Sequence, residues 1–161
     1  MTDSNTAERR FDIIKLYIRD LSFEVPNAPA AYQEKTAPKV DIEIDSAHQA
    51  VGDNVHEVAL TVRVSAKIDD RTLFMVEVVQ AGLFGIAGFG DQERDVMLGS
   101  FCPGTLFPYV REVVSDATAK GGFQPLLLAP INFDSFYQAR KQRQAAQAKT
   151  AAESGSGAAA D

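Results

Sequence analysis

Cys102 is the single cysteine of this chain, and it precedes Pro103 where a helix is expected to open. A helix N-terminus can lower a thiol pKa and expose a thiolate, which makes Cys102 the one candidate nucleophile. The supporting cast is missing. His48 and His56, the two histidines, are remote in sequence, no second cysteine exists to resolve a thiol adduct, and Phe101 and Pro103 point to burial. A structural cysteine is the favoured reading. Asp41, Glu43 and Asp45 lie two apart, so an extended chain would put three carboxylates on one face. They could face a divalent cation. Hard-cation sites draw their ligands mainly from loops, so a solvated edge protected by its charge is favoured. The histidines lack HxxxH or HExxH spacing and have no paired cysteine, so no zinc site is expected.

Glycines 82, 85, 88 and 90 invite two further tests. A phosphate loop must end in GK[ST], but Gly90 leads to Asp91-Gln92. A dinucleotide fingerprint needs a third glycine, but Gly88-Phe89-Gly90 leads to Glu93. Both motifs fail. The glycines read as a hinge over 82–90 that packs Leu83, Phe84, Ile86 and Phe89 under a helix. No nucleophile, base and orienting group occur together. No metal, cofactor or catalytic site is expected, and a binding protein or scaffold is favoured over a thiol enzyme.

The elements around these residues can be read from periodicity. Val55–Ile68 alternates, with Val58, Leu60, Val62, Val64, Ala66 and Ile68 on one face. In Thr72–Leu83, Phe74, Val76 and Val78 oppose Leu73, Met75, Glu77 and Val79, so both faces are apolar except at Glu77. Such a strand needs cover on both sides. Lys39–Asp45 sets Val40, Ile42 and Ile44 against its three carboxylates, and Ser46–Asn54 reads as a polar connection. Phe11–Val25 is a strand whose apolar parity changes near Arg19–Asp20, where a bulge is expected; beyond it Asp20, Ser22 and Glu24 share a polar face. A loop of about a dozen residues, 26–38, follows it; loops of that length are often functional.

The remainder is helical. Asp91–Leu98 reads as a short helix. Leu106, Phe107, Val110, Val113, Val114 and Ala117 repeat at helical spacing. Pro108 is tolerated in a first turn, so a regular helix is expected from about Leu106, ending at Gly121-Gly122. A second helix spans Phe133–Gln147, with Asp134 or Ser135 as cap and Phe136, Tyr137 and Ala139 as its apolar part. Four strands followed by helices give an α+β fold with an antiparallel sheet. Residues 1–10 are expected to be disordered, 11–149 to form one domain, and 150–161 to be a flexible tail.

Composition narrows the class further. Apolar residues make up 45% of 161 residues, and the net charge is −6. That excludes a nucleic-acid binder, which needs a concentrated basic face. The opening MTDSNTAERR has no apolar signal core, and no run approaches the roughly 18 apolar residues of a membrane span. A cytoplasmic protein without direct membrane insertion is expected. The sheet and long helix carry more apolar surface than one subunit is expected to hide.

The runs DLSFEVPNAP (20–29), AGLFGIAGF (81–89), SFCPGTLFPYVRE (100–112) and LLLAPINFDSFY (126–137) occur in order over residues 11–140. Together they resemble the SecB family of bacterial export chaperones. The resemblance implies a four-stranded sheet with a long and a C-terminal helix, assembled as a homotetrameric dimer of dimers. It implies ATP-independent holding of unfolded precursor proteins in apolar grooves and their delivery to the SecA motor. Groove candidates are Tyr32, Val40, Ile42, Ile44, Phe136 and Tyr137. The SecA patch would comprise Asp20, Glu24, Met75 and Glu77. Contacts between copies would use Phe74, Val76, Val78, Leu106, Val110, Val113 and Val114. Thr36 stands where some relatives carry an aromatic residue, and the tail is less acidic than the family pattern.

Overall fold

A computed structural model describes residues 7–155. Four strands form one antiparallel sheet: β1 (Arg10–Glu24), β2 (Lys39–Gly52), β3 (Val55–Ile68) and β4 (Arg71–Ala87), in the spatial order β1-β4-β3-β2. A short helix α1 (Asp91–Val96) runs through a π turn (Met97–Phe101) into the long helix α2 (Cys102–Lys120). An extended return then leads to α3 (Phe133–Gly155). This is the α+β arrangement expected from the pattern.

The inner face of the sheet is made as the alternation predicts. Val58, Leu60, Val62, Val64 and Ala66 of β3 join Phe74, Val76, Val78, Phe84 and Ile86 of β4 in one core with Leu106, Phe107, Val110, Val113 and Val114 of α2. Here the structure corrects the sequence reading. Phe74, Val76, Val78, Leu106, Val110, Val113 and Val114, assigned to contacts between copies, are buried inside one chain, none more than 8% exposed. The apolar stripe of α2 and the apolar face of the sheet cover each other. Much of the unhidden apolar surface lies elsewhere, on the edge strands: Ile13, Ile14, Ile18 and Leu21 of β1, and Val40 and Ile42 of β2, are exposed, as are Phe101, Tyr109 and Leu127 outside the sheet.

Register explains two further points. The β1–β4 pairing slips between Ile18 and Asp20, where a bulge was expected, and also between Ile13 and Lys15. The β3–β4 ladder slips between Ala66 and Lys67, leaving Leu73 unpaired beside Phe74. Leu73 therefore joins the same core as Phe74 instead of facing the opposite way. On the outer face Ala59, Val79, Ala81 and Tyr17 form a small second cluster. Tyr17 donates to Glu57, which also accepts from Arg19 at 2.9 Å and from Gln49 at 3.2 Å.

Several boundaries differ from expectation. The glycine-rich run is no hinge, since β4 continues through it to Ala87. Gly82 sits where a Cβ would come within 2.8 Å of the Phe84 ring and 2.9 Å of Leu16, so its lack of a side chain serves close strand packing. β2 does not end at Asp45. Its polar second half keeps pairing to Gly52, with Gln49 bonded across the ladder to Glu57. Helix α2 begins at Cys102, ahead of Leu106, and contains Pro108 in its interior. The residue four before Pro108 is Gly104 and Pro108 is exposed, so the freed carbonyl belongs to a residue with no side chain to crowd the ring.

The end of α2 is as expected, and its bonding is complete. Gly122 has φ of +84°. Gly122 donates to Ala119 at 3.0 Å and Phe123 donates to Thr118 at 3.1 Å, the paired bonds of a Schellman cap. Buried Thr118 also accepts from the Leu126 N–H at 2.9 Å, which pins the return segment. Asn132, in place of Asp134 or Ser135, caps α3, its Oδ1 accepting from the Ser135 N–H at 3.0 Å. α3 stays helical through 150–155, where a flexible tail was expected. Arg9, in the stretch expected to be disordered, pairs with Glu93 at 3.1 Å. Arg10 already belongs to β1, and residues 1–6 and 156–161 lie outside the described residues.

Candidate binding surfaces

The sheet register assembles an acidic groove on the outer face. Ser22 of β1 lies opposite Glu77 of β4, Glu77 opposite Arg63 of β3, and Arg63 opposite Glu43 of β2. The next row reads Glu24, Met75, Ser65 and Asp41. These residues line a half-open cavity of about 320 Å³. Met75 is 37% exposed on its floor. Glu77 is half-buried and pairs with Arg63 at 2.5 Å, which keeps its charge from being stranded. Three of the four residues assigned to the SecA patch thus meet in one groove. Asp20 lies further along β1, opposite Val79. Asp41 and Glu43 complete the groove, and the sequence reading missed that. Their charge was legible; that β2 would lie two strands from β4 on the same face needed the strand order.

The groove candidates fall into separate places. Tyr32 is 50% exposed in a short 3-10 turn, Ala30–Gln33. Its ring stacks on Phe123 with centroids 5.2 Å apart, and its hydroxyl donates to the Gly121 carbonyl at 2.8 Å. Phe123 contacts Phe74 at 4.9 Å, and Phe74 stacks on Phe23 at 6.0 Å. The result is a row of four aromatic rings from β1 to the loop. Phe23 and Phe123 escaped the sequence reading because one looked like ordinary strand core and the other like a connection. Beside this row Ile18, Leu21, Phe23, Val113 and Ala117 line a cavity of about 380 Å³ rimmed by Glu112, Asp116 and Lys120.

Val40, Ile42 and Ile44 stand on the inner face opposite Ala66, Val64 and Val62. α2 packs on β4 and β3, whereas β2 meets mainly the π turn. Val40 and Ile42 are therefore left bare, while Ile44 packs on the core. Phe136 and Tyr137 lie at the π-turn end of the molecule. Phe136 meets Phe133 at 5.8 Å, and the Tyr137 hydroxyl donates to Asp95 at 2.6 Å. Both are half-buried.

The residues singled out for chemistry lie apart from one another. Cys102 is fully buried in the core. Burial pushes its thiol pKa up to about 12, so the thiol is held in its neutral, unreactive form. The helix start does not rescue it, because α2 continues an unbroken helical run from α1. Burial holds His56 below the ordinary imidazole value, and its Nδ1 is buried without a hydrogen-bond partner. Among the described residues no group of three or more His, Cys, Asp or Glu is placed to hold a metal ion. No helix among them is long and apolar enough to cross a membrane. Cys102→Ala is expected to leave every binding property intact, and the native thiol to resist Ellman's reagent at pH 8 until the protein is unfolded. Rapid labelling of the folded protein would contradict the burial.

A sheet backed by one helix, with an acidic groove on its outer face and bare apolar and aromatic surface on its inner face, is built as a binding surface and not as a closed site. The chain matches the family described as preprotein translocase subunit SecB over residues 4–144, and it belongs to that family. It is 44% identical over 154 residues to the protein-export protein SecB of Halorhodospira halophila, covering 95% of this chain and 89% of that one. It is 47% identical over 149 residues to the protein of the same name from Methylococcus capsulatus, covering 92% and 96%. The fold resembles the Mycobacterium tuberculosis SecB-like chaperone Rv1957, solved in complex with a ChAD peptide from the Rv1956 HigA1 antitoxin. That likeness has a TM-score of 0.64 at 20% identity and covers 76% of this chain and 91% of the other. The family is one of protein-export chaperones.

Proposed function

We propose that this chain is an ATP-independent holdase that keeps precursor proteins unfolded and passes them to SecA. The observation that carries the reading is the apolar surface left bare in an otherwise well-packed chain: Val40 and Ile42 on β2, and the aromatic row ending at half-exposed Tyr32. An extended client would dry these side chains at about 25 cal/mol per Å² of apolar area. Several weak sites joined by one client chain give avidity without sequence specificity. The outer acidic groove, with Glu24, Glu77 and Met75, is the proposed SecA surface, and Asp20 extends it along β1.

Assembly as a dimer of dimers belongs to the same reading, through different residues from those first assigned. β1 is an edge strand with free backbone groups and carries exposed Ile13, Ile14, Ile18 and Leu21. Pairing of this edge with a second copy would satisfy the backbone and cover those side chains. The test of function is direct. A chemically unfolded secretory precursor is diluted into buffer with the protein, and aggregation is followed by light scattering. Suppression near one tetramer per client without nucleotide supports the holdase. Unchanged aggregation leaves only an oligomeric scaffold.

A further inference from the structure

α3 is attached to the body at one end only. It is 23 residues long, about 34 Å at the helical rise. Every residue from Lys141 to Gly155 is exposed. Its packing is concentrated on the π turn, and the anchors cluster there. Phe133 is buried against Phe107, with centroids 5.5 Å apart. The Tyr137 ring lies on Gly99, where a Cβ would come within 2.4 Å of it. Any other residue at 99 would fill the socket. Above the ring the Asp95 carboxylate receives two charged or polar donors, the Tyr137 hydroxyl and the Lys141 ammonium, each at 2.6 Å. The Lys141 nitrogen also stands 5.6 Å from the centre of that ring. Arg140 donates to the Ser46 carbonyl of β2, and Ser100 donates to Asp134.

One carboxylate on α1 therefore gathers two successive turns of α3. We propose that Asp95 is a latch: it holds α3 docked in the Gly99 socket, and losing its carboxylate lets α3 swing out and uncover Leu98 and Phe107. The placement supports this. Asp95 and Lys141 are each more than a third exposed on their side chains, so the bonds can open without unfolding the core. The sheet and α2 share their core with Phe133 at the first turn of α3, whereas Tyr137 and Lys141, the residues the latch holds, stand outside that core. The hydrogen bonds from Lys141 and Tyr137 hold the Asp95 carboxyl below its ordinary range, so the latch stays charged at neutral pH. The device is a property of the chain itself and does not depend on the chaperone reading.

The test uses the full-length protein labelled with 3-fluorotyrosine and read by fluorine NMR. There are four tyrosines, and Tyr137→Phe assigns the signal of interest. The native protein should give a single docked Tyr137 resonance. In Asp95→Ala a solvent-like resonance should grow, with the undocked population raised about tenfold or more, while the Tyr17 and Tyr32 signals stay in place. A Tyr137 signal unchanged in Asp95→Ala would overturn the latch. If Asp95→Ala also moves the Tyr17 signal, Lys141→Met, at an exposed position, decides by the same criterion: an emerging solvent-like line supports the latch, and an unchanged line overturns it.

Discussion

Glu77→Lys is expected to weaken binding to SecA about tenfold or more and to leave capture of unfolded clients nearly unchanged. Glu77 sits at the centre of the outer groove, between Ser22 and Arg63 and one row from Glu24, Met75 and Asp41. The substitution removes one carboxylate and sets an ammonium beside Arg63, which loses its partner at 2.5 Å. Two neighbouring cations then face whatever basic surface approaches. The proposed client surfaces, Val40 and Ile42 among them, stand on the opposite face of the sheet and would feel the change only through a screened distance. Calorimetric titration with SecA, repeated with an unfolded client, reads both affinities. Equal loss of both would show that the groove is misassigned. The SecA affinity of the unmodified protein should also fall with added salt.

Leu106→Ala should destabilise the protein by about 2–5 kcal/mol. Leu106 is fully buried on α2, in the core it shares with the sheet of the same chain, and truncation there leaves a cavity. For a domain of this size each kcal/mol lowers Tm by about 2–4 °C. Leu127→Ala, at a side chain 75% exposed, is the matched control and should change stability by about 0.5 kcal/mol or less. The pair also tests where the chain is covered. If Leu106 met a second copy, the substitution would dissociate the assembly and leave a stable single chain. A cooperative transition moved to lower temperature is what the intramolecular core predicts.

Much of the fold was legible from the alternation of β3 and β4 and the helical repeat of Leu106–Ala117. The bulge near Arg19 followed from a parity change alone. What the pattern does not contain is which apolar face covers which. Phe74, Val76 and Val78 looked like surplus because α2 was counted as another exposed stripe, whereas the two satisfy each other. The glycine run misled for a related reason. Gly82 resembles a hinge in one dimension, but in the sheet it is a place where the Phe84 ring and Leu16 approach closely. The site was split in the same way. Glu24, Met75 and Glu77 were singled out in the sequence, and that Asp41 and Glu43 line the same groove needed the strand order. Tyr32 was singled out in the sequence, but the ring it stacks on, Phe123, and the rest of the row, Phe74 and Phe23, come from distant segments. Asp95 gave no signal at all, since a lone carboxylate on a short helix is ordinary until Tyr137 and Lys141 are seen above it.

Isoleucine methyl NMR during titration with an unfolded precursor addresses the central claim most directly. The bare inner surface of β2 beside the aromatic row should be where clients lie, so the Ile42 methyl signal is expected to shift and broaden, Ile44 less, and the buried Ile86 not at all. Shifts confined to Ile13, Ile14 and Ile18 of the β1 edge, or no shift while client is bound, would contradict it.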